Sequence, residues 1–146
     1  MFNRIIVAID LEHETPPDRL LQAASGIAGM NNAELHLLHI IGAAPAIVSQ
    51  YLESGYEHLA AARAEEQLEA LAARLGPGAG KVVCTVRFGD IYQEILAFAD
   101  KISADLIMLD SHKPGLADYL LGSNASRVVR HASCSVFVLR QGGGTA

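Results

Sequence analysis

The sequence predicts an α/β fold in which helices cover both faces of a doubly wound, five-stranded parallel sheet. Five short apolar runs alternate along the chain with four longer stretches of helical periodicity, and this alternation is typical of such sheets. The first run is continuously apolar and rich in β-branched residues, which indicates a strand buried on both faces. Because crossovers between parallel strands are right-handed, we expect the strand order 3-2-1-4-5 with four helices.

The composition agrees with one globular domain. The chain has 146 residues, of which 51% are hydrophobic and 18% charged, and we place the domain at residues 1–140, followed by a flexible glycine-rich tail at 141–146. Apolar runs stay below the roughly 18 residues of a membrane span, so we expect a cytoplasmic protein with no membrane partner. The net charge of −5 disfavours nucleic acid as a partner.

The first half of the chain predicts two strands and two helices. The first strand begins at Arg4 and leads into the carboxylate of Asp10. Thr15 can cap the first helix with Pro16 at its first position, and Asn31-Asn32 end it. Its inner face should hold Leu20, Ala23, Ala24, Ile27 and Met30. The second strand spans 34–41, an irregular connection 42–55, and the second helix 56–75.

The second half predicts three strands and two helices. Glycines at 76–80 break the second helix, and the third strand spans 81–87. Asp90 resembles an N-cap with Gln93 three residues later, a variant of the capping box, and this helix ends near Ile102. The remaining elements are a strand at 106–109, a helix at 123–132 and a strand at 135–140.

Ligands of such sheets bind outside the carboxyl ends of the strands, where the strand order reverses. The first and fourth strands flank that crevice. Asp10, the end of the second strand at Ile40-Ile41 and the loop after Leu109 should therefore surround one pocket.

The residues Gly122-Ser123-Asn124-Ala125 open the last helix. Free N–H groups and the helix dipole make a helix start a phosphate site, but a plain N-cap explains the same residues equally well. Neither G-x-x-x-x-G-K-[ST] nor a G-x-G-x-x-G after the first strand occurs, which argues against a P-loop NTPase and a dinucleotide dehydrogenase.

Residues 89–140 resemble the universal stress protein family, and the elements from Asn3 to Arg140 follow that family's order. In the family, strand four leads into a G-x-x-G-x9-G-[ST] motif that wraps the phosphates of ATP. Gly122-Ser123 is retained here, whereas Asp110 and Lys113 replace the first two glycines and the loop is one residue shorter. The S-H-K-P text at 111–114 is similar to the UspF-like branch of the family.

The resemblance implies a Rossmann-like, adenine nucleotide alpha hydrolase-like fold that binds ATP, with or without Mg²⁺. It also implies a homodimer through the fifth strand and leaves a tetramer open. Asp10 would face the ribose or a phosphate bridged by nucleotide-bound Mg²⁺. The residues that the resemblance places at the nucleotide are Ala8, Ile9, Asp10, Ile40, Leu109, Asp110, Ser111, His112, Lys113, Gly122, Ser123, Asn124 and Ala125.

Two functions remain in competition. The first is an ATP-binding regulatory domain of the stress response, with at most slow hydrolysis, because no general base is evident opposite a γ-phosphate. The second is a nucleotide-free homodimeric adaptor of the same fold. Asp110 would repel phosphate unless a metal or a cation offsets its charge. Lys113 is either that cation or a solvated loop lysine, and both interpretations stand.

The remaining candidate residues are expected to be structural. His36 and His39 lie three apart on the second strand, so they point to opposite faces and cannot share a metal ion. His112 is a better candidate for ligand contact than His131, which suits the dipole at the end of the last helix. Cys84 and Cys134 lack the spacing of a redox or zinc site, and we expect buried, reduced thiols.

Overall fold

Five parallel strands form one sheet in the order β3-β2-β1-β4-β5, which confirms the predicted class and strand order. The structure, a computed structural model, describes residues 1–12, 16–42, 55–111 and 122–140. Val7 lies opposite Leu37 on one side and Met108 on the other, so β1 is central. The strands are β1 (Arg4–Ala8), β2 (Glu34–Ile41), β3 (Val82–Phe88), β4 (Leu106–Ser111) and β5 (Ser135–Arg140).

The helices of the described residues divide between the two faces of the sheet. They are α1 (Asp18–Asn31), α2 (Tyr56–Leu75), α3 (Ile91–Ile102) and α4 (Ser123–His131), with a 3₁₀ turn at Pro77–Ala79. Helices α1 and α2 bury Leu20 and Leu68 against one face, whereas α3 and α4 bury Phe98 and Val128 against the other. The sheet therefore lies between two apolar layers, as expected of a doubly wound fold.

Three strand boundaries differ from the prediction. The ladder of β1 ends at Ala8, so Asp10 lies two residues beyond it. Strand β3 is shifted by one residue. Strand β4 continues past Leu109 because Asp110 and Ser111 pair with the last residues of β5. This pairing depends on a distant part of the chain, so the local apolar pattern could not reveal it.

Two predictions for α1 were wrong. Pro17 occupies the N-cap position of α1, so Pro16 precedes the helix, and Thr15 lies outside the described residues. Met30 is 88% exposed, and Leu21 and Ala28 occupy the inner face instead. The predicted end of α1 was right, because Asn32 adopts the left-handed conformation that asparagine tolerates at a helix end.

The predicted capping box of α3 does not form. Asp90 occupies the N-cap position, but no side-chain hydrogen bond caps the helix within the described ranges. Glu94 instead pairs with Nε of Arg87 at 3.0 Å, and the Arg87 guanidinium lies 5.6 Å from the centre of the Phe98 ring. An ion pair between α3 and β3 thus forms in place of the predicted hydrogen bonds within the first turn of α3.

Charged groups at the amino ends of the strands bind one another. Glu34 lies 3.4 Å from both Arg4 and Lys81, and its Oε1 is 2.9 Å from Nε2 of His36. The hydrogen bond from His36 lowers the pKa of Glu34, and Lys81 contributes in the same direction. Asp105, just before β4, accepts hydrogen bonds from the backbone amides of Asn3 and Arg4 at 2.8 and 3.2 Å.

Two predicted segments fall outside the described residues: most of the irregular connection, at 43–54, and the glycine-rich tail, at 141–146. Within the ranges that the structure describes, the helices lack the combination of length and hydropathy that a membrane span requires.

Candidate functional site

A cleft opens at the carboxyl ends of β1 and β4, the point where the strand order reverses. The ends of three strands, the first turns of α3 and the start of α4 form its wall. This is the position where open α/β sheets bind ligands. The lining residues are Ala8, Ile9, Asp10, Leu38, His39, Ile40, Ile91, Ile95, Leu109, Asp110, Asn124 and Ala125.

The inner part of the cleft is apolar. Ile9, Ile40 and Leu109 are buried, because each lies near the end of a central strand. Ile91, in the first turn of α3, is 40% exposed and forms an open side of the cleft. A wall of aliphatic side chains with a few polar groups at its edge is usual for small-molecule sites, and it suits a flat, weakly polar ring.

Asp10 provides a carboxylate at the edge of this apolar part. It is exposed, and its Oδ1 accepts a hydrogen bond from the amide of Glu12 at 3.0 Å. Such a bond to the residue two positions later is an Asx turn, which aspartate favours after a strand. Its Oδ2 makes no hydrogen bond to another described residue and can accept one from a ligand.

The start of α4 contributes backbone amides. Ser126 donates the first intrahelical bond, to the carbonyl of Gly122, and in the described part of the chain no side chain caps the helix. Amides of residues 123–125 therefore remain for an anion. Ser123 is the first helical residue rather than the cap. Gly122 has φ −64° and ψ 159°, a conformation open to any residue, so backbone freedom does not explain the glycine.

Helix α3 holds α4 in place beside the cleft. The Arg127 guanidinium lies 5.1 Å from the centre of the Tyr92 ring, and the His131 ring lies 6.2 Å from it. Buried Ala125 and Val128 pack in the same apolar layer as Phe98. These contacts fix the direction in which the first amides of α4 point.

The structure brings eight of the thirteen predicted residues together in the lining of the cleft. Ser111 is buried at the end of β4 and is absent from the lining. Gly122 and Ser123 precede the lining residue Asn124, and His112 and Lys113 lie outside the described residues. Sequence reasoning missed four lining residues: Leu38, His39, Ile91 and Ile95.

The four lining residues that the sequence did not reveal look like ordinary core residues in the sequence. Ile91 and Ile95 belong to the apolar stripe of α3, which helical periodicity assigns to the core. His39 is buried and was expected to be structural, but its Nδ1 lies 2.9 Å from the Ile9 carbonyl oxygen at the cleft. The fourth residue, Leu38, lies beside it in β2.

Metal binding by protein groups alone finds no support in the described residues, which contain no cluster of three or more ligating side chains. Asp10 and Asp110 do line the same cleft. Carboxylate oxygens suit Mg²⁺, which usually takes one or two of them together with phosphate oxygens. Asp10 and Asp110 are ligands of that chemical type.

Neither cysteine belongs to the cleft. Cys84 and Cys134 are both free, and both are half-buried rather than buried as predicted. Burial raises the pKa of Cys84 to about 11, with a further contribution from the nearby charge of Glu69. Burial also raises the pKa of Cys134. Because the thiolate is the reactive form, both side chains are poor nucleophiles near neutral pH.

Comparisons with known proteins agree on one family. The profile of the Universal stress protein family matches residues 1–140. Universal stress protein G of Shigella flexneri is 31% identical over 144 residues, which cover 96% of this chain and 100% of that protein.

Two solved structures illustrate the shared fold. Protein MJ0577 has a TM-score of 0.82 at 22% identity, and 99% of each chain is covered. A universal stress protein from Archaeoglobus fulgidus in complex with dAMP has a TM-score of 0.69 at 18% identity, with 95% of this chain and 98% of that chain covered.

Proposed function

Because the chain belongs to the universal stress protein family, we propose that it is a cytoplasmic, ATP-binding regulatory domain of the stress response. The observation that carries the proposal is one cleft that joins an apolar slot, a carboxylate and the open start of a helix. These three parts match the ring, the sugar and the phosphates of a nucleotide. The dAMP bound to the Archaeoglobus relative supports the same class of ligand.

In the proposed complex the adenine ring lies among Ile9, Ile40 and Leu109. Asp10 accepts a hydrogen bond from the ribose or contacts a Mg²⁺ ion that bridges to phosphate. The phosphates lie at the start of α4, where amides of residues 123–125 and the helix dipole stabilise negative charge. His112 and Lys113, which lie outside the described residues, belong to the same proposed site.

Mg²⁺ has a specific role in this proposal. Asp110 lines the cleft, and its carboxylate is a like charge to the phosphates. A divalent cation between the two would turn that repulsion into attraction. The proposed ligand is therefore ATP together with Mg²⁺. We assign the cleft carboxylates Asp10 and Asp110 to the ribose and to Mg²⁺ rather than to activating a water molecule, so we propose a binding domain with at most slow turnover.

Calorimetric titration with ATP and Mg²⁺ tests the proposal, with Gly122→Val as the decisive variant. A valine side chain beside the first amides of α4 would keep phosphate away, and binding should be lost. Gly26→Val is the matched control, since a Cβ at Gly26 meets no atom within 4 Å and this site is remote from the cleft. Absence of heat and of a thermal shift for the unaltered protein would overturn the proposal.

The second candidate is a nucleotide-free adaptor of the same fold, and the observation that favours it is Asp110 itself. A carboxylate in the lining could exclude phosphate from the cleft. The same titration decides between the two functions. If ATP binds as tightly without Mg²⁺ as with it, Asp110 does not exclude phosphate from the cleft.

We also propose a homodimer through β5, with assembly into a tetramer left open. Strand β5 is at one edge of the sheet, and its central residues are partly exposed. An apolar edge of this kind is a template for pairing with another strand. Val138→Lys should give a monomer in sedimentation velocity, whereas Val83→Lys on the opposite edge strand should not. A Val138→Lys dimer would contradict this assignment.

A further inference from the structure

We propose that His39 is the positioning residue for Asp10, because its imidazole bonds to the backbone of a residue directly next to that aspartate. The inference rests on the proposed nucleotide site, since it concerns the carboxylate assigned there to the ribose or to bridged Mg²⁺. His39 would act through Asp10 and need not contact the nucleotide itself.

Two contacts of one nitrogen atom carry the inference. Nδ1 of His39 lies 2.9 Å from the carbonyl oxygen of Ile9, and the amide of Leu11 lies 3.4 Å from the same nitrogen. Ile9 and Leu11 immediately precede and follow Asp10. His39 is 5% exposed, so water competes little for these bonds.

The two contacts use opposite forms of the nitrogen. A protonated Nδ1 donates to the Ile9 carbonyl, whereas an unprotonated Nδ1 accepts from the Leu11 amide. The 2.9 Å contact is the better hydrogen bond, so we assign the proton to Nδ1. In either form, the imidazole ties a neighbour of Asp10 to β2.

The segment needs such a tether because it leaves the sheet at this point. The β1 ladder ends at Ala8, and the Ile9 amide still donates to the Leu38 carbonyl at 2.8 Å. Beyond that bond, Asp10 and Glu12 are exposed and bonded to each other. Within the described residues, His39 provides the side-chain hydrogen bond between this segment and the sheet, and Leu11 adds apolar packing.

The chain offers a matched control in His36. It lies on the same strand and is similarly buried, at 7% exposure. Its Nε2 bonds to Glu34 of its own strand, at the amino end of the sheet, and it does not line the cleft. Loss of His36 should therefore reduce stability without moving Asp10.

The test compares His39→Leu, His39→Asn and His36→Leu in calorimetric titration with ATP and Mg²⁺. Losing the tether should weaken binding about tenfold in His39→Leu, the effect of one buried hydrogen bond. Asparagine carries its amide on Cγ, where Nδ1 is attached, so His39→Asn should restore affinity to within about twofold. His36→Leu should bind like the unaltered protein.

A double variant separates positioning from a general loss of structure. If His39 acts through Asp10, adding His39→Leu to Asp10→Ala should weaken binding no further, because the positioned group is already gone. Independent effects would multiply to about a hundredfold. Multiplied effects, or an affinity of His39→Leu equal to that of the unaltered protein, would overturn the inference.

A measurement without ligand keeps this inference distinct from the proposed function. Amide hydrogen exchange of Leu11 and Glu12 should become about tenfold faster in His39→Leu, because the segment opens more often once the Ile9 carbonyl is no longer bonded to His39. It should recover in His39→Asn. If the unaltered protein fails to bind ATP, the proposed function is wrong. The exchange rates alone then show whether His39 restrains the backbone around Asp10. Unchanged exchange in His39→Leu would refute it.

Discussion

The two ends of the sheet carry similar residues in opposite arrangements. Each end has a histidine of β2 and at least one aspartate: Asp105 before β4 at the amino end, and Asp10 after β1 with Asp110 in β4 at the carboxyl end. At the amino end, Glu34 joins His36, Arg4 and Lys81. At the carboxyl end, His39 bonds to backbone, and Asp10 is exposed at a cleft. The amino end pairs its charges internally, whereas the carboxyl end exposes the carboxylate of Asp10 to solvent.

This difference separates stability from binding within one small sheet. Polar groups that bind each other favour the folded state, but they leave nothing for a ligand to bind. An exposed polar group at the cleft, such as Asp10, contributes less to folding. Changes at the amino end should therefore lower the free energy of unfolding, and changes at the carboxyl end should mainly alter affinity.

The largest expected effect follows from Asp105→Ala at the amino end. The carboxylate accepts two backbone amides, at 2.8 and 3.2 Å, and hydrogen bonds to a charged group contribute about 1.5–3 kcal/mol. Partial exposure reduces this figure, and we expect a loss of about 2 kcal/mol in urea unfolding. Affinity for ATP should be unchanged.

The same substitution at the other end is the control. Asp10→Ala removes one exposed hydrogen bond, to Glu12, so unfolding should change by less than about 1 kcal/mol. Binding of ATP should fall. The comparison between the two ends would be wrong if Asp10→Ala destabilised the fold as much as Asp105→Ala did.

A smaller effect is expected from Asp110→Ser at the cleft. Removing a like charge near the phosphates should tighten ATP binding without Mg²⁺ by about 1 kcal/mol, or about fivefold. The gain should shrink when Mg²⁺ is present. Adenosine, which lacks phosphate, should bind both proteins alike in the same titration. Equal weakening for ATP and adenosine would show instead that Asp110 supports the structure of the cleft.

The smallest effect concerns pH and Glu34. Its pKa is lowered from 4.5, first by the His36 hydrogen bond, so the folded state holds this proton more weakly than the unfolded chain. The resulting stabilisation is present above pH 4.5 and is lost as the pH falls through the folded pKa. Urea unfolding of Glu34→Gln between pH 6 and pH 3 should show a shallower decline.

Asp18→Asn serves as the comparison for that experiment. Asp18 pairs with Arg74 at 2.8 Å, but both side chains are more than half exposed, and such pairs contribute little. Its unfolding should follow the unaltered protein across the same pH range. An equal slope change in both variants would remove the special role of Glu34.

Much of the fold was predictable because local patterns determine it. The bounds of β2, α2 and β5 agree with the apolar runs and with the glycines and asparagines that interrupt them. The predictions were wrong where contacts between distant parts of the chain determine the structure. Strand β4 is extended by pairing with β5, and the orientation of α1 leaves Met30 exposed. Periodicity shows that a helix has an apolar face, but not which residue at its end touches the sheet.

The position of the cleft was predictable from the strand order, whereas the contacts within it were less predictable from the residue types. The reversal of strand order locates the cleft, and it brings Asp10, Ile40 and Leu109 together as expected. The tether from His39 depends on the distance between two neighbouring strands, for which the sequence gives no signal. Ile91 looks like any core residue of an amphipathic helix until the fold places it at the cleft.

Hydrogen exchange with and without ATP and Mg²⁺ tests the contrast between the two ends most directly. We expect added protection at residues 8–11, 109–111 and 123–126, and unchanged exchange at the amino-end residues 3–5, 34–36 and 105–106. Protection at the amino end, or none at the carboxyl end despite saturating ATP, would contradict the account.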